Sequence, residues 1–138
     1  MTSRPTFGAD TPSAPTPAPT ILLVENDSGN RTVIEMLLLV EQFGCVACAN
    51  FDAGRSALET HTISLIVADL GARALDLIAH VRATPTLAHI PIIVVTGTPN
   101  VRKHQEALQA GADACLLKPV PNAELLAEIR RCLDNGSA

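Results

Sequence analysis

Aromatic side chains are almost missing from this chain. Its 138 residues include no tryptophan, no tyrosine and only three phenylalanines, so a core has to be assembled from Leu, Ile, Val and Ala, a composition that suits helices packed on a sheet. Basic residues are also scarce: ten Lys and Arg against fourteen Asp and Glu leave a formal net charge of -4. Binding to a phosphate backbone needs clustered cations, so nucleic acid is not expected as a partner. No apolar run reaches the roughly 18 to 20 residues of a membrane span, and the amino terminus lacks the apolar core of a secretion signal. The expectation is a cytoplasmic protein with no membrane partner.

Cysteine is present in four copies, and Cys45-Val46-Ala47-Cys48 has CxxC spacing. The segment reads as a strand, where positions three apart face opposite sides of the sheet, so the two sulfurs diverge. Cys115 and Cys132 have no partner at ligand spacing, and His61, His80, His89 and His104 fall on helices or loops without matched spacing. Small-residue packing accounts for the cysteines better than redox or zinc chemistry.

The length suits one domain with a real core. Met1 to about Pro19 carries five prolines among Thr, Ser and Ala; with no hydrophobic periodicity it is expected to be a disordered tail, leaving residues 20–136 as the folded unit. Ile21 to Val24 reads as a first buried strand. Asp27 or Ser28 then caps a helix with Val33, Ile34, Leu37, Leu38 and Val40 at helical spacing, and Gly44 closes it. Cys45 to Asn50 gives a second strand, and Asp52 to about Thr60 a short helix with Ala53, Ala57 and Leu58 inward. Ser64 to Asp69 is a third strand, followed by a helix from Ala74 to Ala83 with Leu75, Ile78 and Ala79 on one face. Ile90 to Val95 is a fourth strand, a helix runs from about Pro99 or Asn100 to Ala110, and Asp113 to Leu117 is a fifth strand. Asn122 to Leu133 is the last helix, with Leu125, Leu126, Ile129 and Leu133 on its stripe.

Strict alternation of strands and helices with short loops predicts an α/β chain: a (βα)5 three-layer sandwich of flavodoxin-like type, with a parallel sheet of order 2-1-3-4-5. In such sheets ligands bind outside the carboxyl ends of the strands. Those ends carry Glu25, Asn26 and Asp27 after the first strand, Asp69 after the third, Thr96 after the fourth and Lys118 after the fifth. Clustered carboxylate oxygens suit a hard cation such as Mg²⁺. A lysine and a threonine hydroxyl suit phosphoryl oxygens. Together they point to phosphoryl transfer onto Asp69. A cofactor enzyme of Rossmann type fits the topology less well, because Glu25 and Asp27 stand where a phosphate-binding turn needs free N–H groups.

Ile21-Leu22-Leu23-Val24-Glu25-Asn26, Asp69, Val94-Val95-Thr96-Gly97, Gln109-Ala110-Gly111-Ala112-Asp113 and Leu117-Lys118-Pro119 resemble the receiver domain of two-component response regulators. The resemblance runs from about Thr20 to Asp134. It implies that Asp69 accepts a phosphoryl group from a sensor histidine kinase or phosphotransfer protein. It further implies that Glu25, Asn26, Asp69 and the Gly71 carbonyl surround Mg²⁺, that Thr96 is the switch hydroxyl, and that Lys118 contacts phosphate. A cis Lys118-Pro119 peptide is implied as well. Such a domain is not an ordinary enzyme; its chemistry is at most self-phosphorylation and autodephosphorylation at Asp69.

Three departures from the pattern stand out. Asn26 occupies the place of the aspartate that usually binds the metal directly. The loop after Asp69 is about three residues short, so that Leu70-Gly71-Ala72-Arg73 leads straight into a helix. Cys115 replaces the strand-five aromatic that couples to the threonine switch, and Val120 stands where an aromatic often follows Lys-Pro. The expected function is a stand-alone receiver that signals by docking a downstream protein target or by onward phosphotransfer. The alternative is a pseudo-receiver that binds a protein without taking phosphate.

Overall fold

Short Val-, Ile- and Leu-rich segments bounded by polar residues become strands here because helices cover both faces of the sheet they build. The computed structural model describes residues 18–136; most of the expected tail therefore lies outside the described residues. The order is β1 (Thr20–Val24), α1 (Ser28–Val40), β2 (Gly44–Cys48), α2 (Phe51–Thr60), β3 (Leu65–Asp69), a single 3-10 turn (Leu70–Ala72), α3 (Ala74–Ala83), β4 (Ile92–Thr96), α4 (Val101–Ala110), β5 (Ala114–Leu117) and α5 (Asn122–Gly136). The sheet is parallel throughout with order β2-β1-β3-β4-β5, as the alternation predicts. No helix among the described residues is long and apolar enough to cross a membrane.

The two-residue period of the strands divides the core. Leu22, Val24, Ile66, Ala68, Ile92 and Val94 pack with Leu58 of α2, Leu77, Ile78 and Val81 of α3 and Ala107 of α4. Ile21, Leu23, Leu65, Val67, Ile93 and Val95 pack on the other face with Leu38 of α1 and Leu125, Ile129 and Cys132 of α5. Cys45 and Cys48 go to opposite faces, and the four thiols are free. Burial pushes the Cys45 and Cys132 thiols up to about 11, far from the thiolate form that metal binding or redox exchange needs.

Several expected details change. Gly44 does not close α1; Glu41 caps it, Gln42 makes the turn at φ 69, and Gly44 opens β2. A Cβ on Gly44 would stand 2.8 Å from Thr20 Oγ1, so any larger residue here would make the Thr20 side chain shift. On α1, Val33 and Val40 are exposed and only Leu38 is fully buried. That helix is apolar nearly all round, and periodicity cannot say which stripe the sheet covers. On α2, Ala53 is exposed and Gly54 faces inward with Ala57 and Leu58. On α3, Leu75 and Ala79 are exposed and the buried stripe is Ala74, Leu77, Ile78 and Val81, a complete i, i+3, i+4, i+7 set. β2 ends at Cys48, since the Asn50 side chain accepts from Ala53 N at 2.8 Å and starts α2 at Phe51. Ile90 is buried yet precedes β4, and Asp113 precedes β5 with its carboxylate accepting from Ile92 N at 2.8 Å.

The reassigned face of α2 can be tested. A Cβ on Gly54 would lie 2.9 Å from Val24 Cγ2, so Gly54→Val should destabilise by about 2 kcal/mol through overpacking. Ala53→Val, one position earlier and exposed, should cost only the helix-propensity difference of about 0.5 kcal/mol. Urea titration of both variants checks this; equal losses would return Ala53 to the core.

Candidate functional site

Strand order places β1 beside β3 while the connections after them leave in opposite directions, which opens a crevice at their carboxyl ends. Glu25 follows β1 directly, its N–H donating to the Cys48 carbonyl at 3.0 Å. Asp69 ends β3 and pairs with Val95. Thr96 ends β4 and pairs with Leu117. Lys118 follows β5, its N–H donating to the Thr96 carbonyl at 2.7 Å. Parallel register thus carries four chemically useful side chains to one rim. Glu25, Asp69 and Thr96 are 1%, 8% and 3% exposed, and they are the buried polar side chains among the described residues.

Burial of two carboxylates side by side demands a counter-charge. Lys118 supplies it: its Nζ lies 2.9 Å from Glu25 Oε1 and 3.0 Å from Asp69 Oδ1. Glu25 Oε2 accepts from Asp27 N at 3.0 Å, and Arg31 Nη1 donates to the Glu25 carbonyl at 2.8 Å. Partial burial pulls the Lys118 pKa down, but its bonds to both carboxylates outweigh that and hold it above the ordinary lysine value. The ammonium is therefore kept at all physiological pH.

Asp69 has a second side. A Cβ on Gly71 would stand 3.1 Å from Asp69 Oδ2, so the 3-10 turn wraps closely around this oxygen. A cleft of about 510 Å³ borders Asp69 and Thr96 here, with Lys103 and Glu106 of α4 also in its wall. The Thr96 hydroxyl accepts from Thr98 N at 3.1 Å. Asp69 thus has one oxygen held by a cation, and its carboxyl borders open space beside a hydroxyl.

The other candidates are less tightly gathered. Asn26 is exposed, beyond the end of β1. Asp27 serves as N-cap of α1, accepting from Asn30 N at 2.8 Å, and is not spare as a ligand. Gly71 is exposed within the turn, and Cys115 is half-buried on the face covered by α2, α3 and α4. Val120 packs on the opposite face. The Lys118-Pro119 peptide is cis. The donor atoms are oxygens, the right kind for Mg²⁺. Two carboxylates, an amide and main-chain carbonyls fit a hydrated ion in type, with one negative charge fewer than a paired acid at residue 26 would give. Among the described residues no group of three His, Cys, Asp or Glu converges as a metal cage.

Sequence reasoning missed two features of the rim. The turn after Asp69 places Arg73 at φ 61, and that residue is held by stacking over the Phe51 ring at 4.3 Å and by an ion pair to Asp76 at 2.8 Å. Lys103 and Glu106 border the cleft, and their distance in sequence from Asp69 gave no signal; packing of α4 beside α3 and β5 brings them there.

Lys118→Met would leave Glu25 and Asp69 adjacent without their cation. We expect a loss of about 2 to 3 kcal/mol at pH 7, below that of a fully buried broken pair because Lys118 is partly exposed. In the wild type the raised Lys118 pKa places this stabilisation fully below the ordinary lysine value near 10.5 and removes it only at higher pH. Denaturant titrations of both proteins at neutral pH and at pH above 10.5 check it; a difference that does not shrink at the higher pH would mean that the ammonium does not balance these carboxylates.

The chain matches the family model "Response regulator receiver domain" over residues 21–130. It is 30% identical over 118 residues to the transcriptional regulatory protein AfsQ1 of Streptomyces coelicolor, covering 86% of this chain and 52% of that one. The chain thus spans about half the length of that relative. It superposes with TM-score 0.79 on a CheY-like response regulator receiver domain protein from Methanospirillum hungatei JF-1, at 25% identity over 87% of this chain and 97% of the other. It superposes with TM-score 0.78 on the receiver domain of the sensor histidine kinase PA1611 from Pseudomonas aeruginosa PAO1, at 27% identity over 85% and 98%. That structure has a magnesium ion coordinated in its active site cleft. A five-stranded sheet of this order, an acid, hydroxyl and lysine on its carboxyl rim, and a family match across most of the length lead to one conclusion: the chain belongs to the response regulator receiver domain family.

Proposed function

We propose that residues 20–136 form a receiver that accepts a phosphoryl group on Asp69 from a histidine kinase or phosphotransfer protein and signals by protein–protein interaction. The observation that carries this reading is the asymmetry of Asp69, with Oδ1 on Lys118 and the carboxyl bordering a cleft shared with Thr96. The free oxygen attacks phosphorus, the bond from phosphorus to the donor nitrogen breaks, and the nitrogen leaves with the electron pair. Lys118 then balances the added charge of about -1.5 to -2, and the Thr96 hydroxyl donates to a phosphoryl oxygen. Mg²⁺, when bound, would offset charge on the transferring group; Glu25, Asn26, Asp69 and the Gly71 carbonyl are the residues to hold it.

Two features support a protein donor. Val33, Met36, Leu39 and Val40 leave an exposed apolar strip on α1. An apolar groove of about 400 Å³ joins Val33 and Ile34 of that helix to Lys118, Pro119 and Val120. A helix bearing a phosphohistidine can rest there with its imidazole toward the rim.

Incubation with phosphoramidate and Mg²⁺ followed by intact-mass measurement tests the reading. The wild type should gain one phosphoryl group and Asp69→Ala none. Absence of gain at any Mg²⁺ concentration would leave the protein-binding module without phosphate chemistry as the better account. Asn26→Asp should tighten Mg²⁺ binding severalfold by restoring a charged ligand, as measured by calorimetry; unchanged affinity would remove residue 26 from the metal's surroundings.

A further inference from the structure

Arg73 is costly to the fold in two ways. Its φ of 61 lies in the left-handed region, which glycine adopts freely and other L residues adopt under strain. It also stands at the N-cap of α3 and makes no side-chain capping bond there, although asparagine would tolerate the same backbone and cap the helix. The contacts its side chain does make return little. The ion pair to Asp76 joins side chains that are 60% and 57% exposed, and exposed pairs add little stability. Fold stability alone does not account for an arginine at this position.

What the contacts fix is direction. Phe51 opens α2, set in place by the Asn50 cap, and the guanidinium carbon lies 4.3 Å from the centre of its ring. Asp76 lies in the first turn of α3. One planar group thus joins the starts of two helices, and the residue that carries it ends the 3-10 turn. Ala72 and Ala74 on either side are buried in the core, with Arg73 pointing outward between them. The turn has three residues and little slack, so a shift at residue 73 is passed to Gly71, where a Cβ would come within 3.1 Å of Asp69 Oδ2. That is the oxygen left over when Lys118 holds Oδ1.

Resting on the phosphoacceptor reading, we propose that Arg73 is a positioning residue: braced on Phe51 and Asp76, it holds the main chain of the turn at the Asp69 carboxyl and keeps the Gly71 carbonyl ready as a Mg²⁺ ligand. The side chain acts through the turn. With Asn26 in place of a charged ligand, the site depends more on neutral oxygens that are aligned in advance.

The test is made on metal and backbone, without phosphate. Mg²⁺ binding by calorimetry, the NMR order parameter of the Gly71 amide in metal-free protein, and urea unfolding are compared in wild type, Arg73→Gly, Phe51→Leu and Phe51→Tyr. Groups that orient a metal ligand from outside its shell are worth about tenfold or more in affinity, so Arg73→Gly and Phe51→Leu should bind Mg²⁺ about tenfold more weakly. The Gly71 order parameter should fall in both from about 0.85 to below about 0.6. Arg73→Gly should nevertheless unfold near the wild-type urea concentration, because relief of the backbone at φ 61 offsets the loss of two exposed contacts. Phe51→Tyr keeps the ring face and should keep the wild-type affinity. Wild-type affinity or order in Arg73→Gly overturns the inference, as does a weakening that Phe51→Tyr shares or that comes only with a lowered urea midpoint. A wild type that binds no Mg²⁺ overturns it as well. None of these results touches the phosphoacceptor reading, which falls separately if the wild type gains no mass from phosphoramidate while the metal and order measurements stand.

Discussion

One ammonium shared by two buried carboxylates organises this molecule. Glu25 and Asp69 end adjacent strands, and parallel pairing leaves neither of them anywhere else to go. Without Lys118 the junction of β1 and β3 would carry two desolvated like charges, an arrangement that costs about 2 to 3 kcal/mol here, where the lysine is partly exposed. The lysine comes from the far edge of the sheet, so the contact ties the first, third and fifth strands together at the rim. It also leaves the site poised: a single cation serving two acids has less hold on either, and a third anionic group can compete for it. Stability and the capacity to receive charge thus depend on the same three side chains.

The connection after Asp69 shows how a local shortening is absorbed. After Asp69 this chain folds one 3-10 turn and places Arg73 in the left-handed region, a conformation that costs a non-glycine residue of order 1 kcal/mol. Stacking over Phe51 and pairing with Asp76 offset it. The consequence is spatial. The turn stays against Asp69 Oδ2 and forms one wall of a cleft that α4 borders on the other side.

The strands and their order were legible because a doubly covered strand writes itself as a continuous apolar run, and strict alternation with helices leaves one economical topology. Asp69, Thr96, Glu25 and Lys118 were legible for the same reason: a polar residue that ends such a run has to lie on the rim. Helix faces were not. Val33, Ala53, Leu75 and Ala79 fit an inward stripe by spacing, but an apolar helix or an alanine-rich one offers more than one stripe, and the choice is made by the angle at which the preceding loop delivers the helix. Arg73 at positive φ and Gly54 against Val24 set that angle, and neither signal is visible without the packing. Lys103 and Glu106 were illegible in the same way, since their relation to Asp69 is created by two helices meeting a turn.

On the phosphoacceptor reading, a change at Asp69 has to be felt elsewhere through its neighbours, and Cys115 on β5 is a small, half-buried side chain. The hydroxyl of Thr96 has another connection. It accepts from Thr98 N, the Thr98 carbonyl lies 2.7 Å from His104 Nε2, and the Thr98 hydroxyl accepts from Asn100 N at 3.2 Å, immediately before α4. If the Thr96 hydroxyl moved toward a phosphoryl oxygen while still accepting from Thr98 N, Thr98 would follow it, and Thr98 is bonded to Asn100, the N-cap of α4, and to His104 within that helix. Hydrogen bonds are directional and lose strength steeply when bent, so a small shift of Thr98 is passed to the helix instead of being absorbed in the loop. On the phosphoacceptor reading proposed above, the polar groups between β4 and α4 are the connection from the Asp69 rim to the helix that carries Lys103 and Glu106.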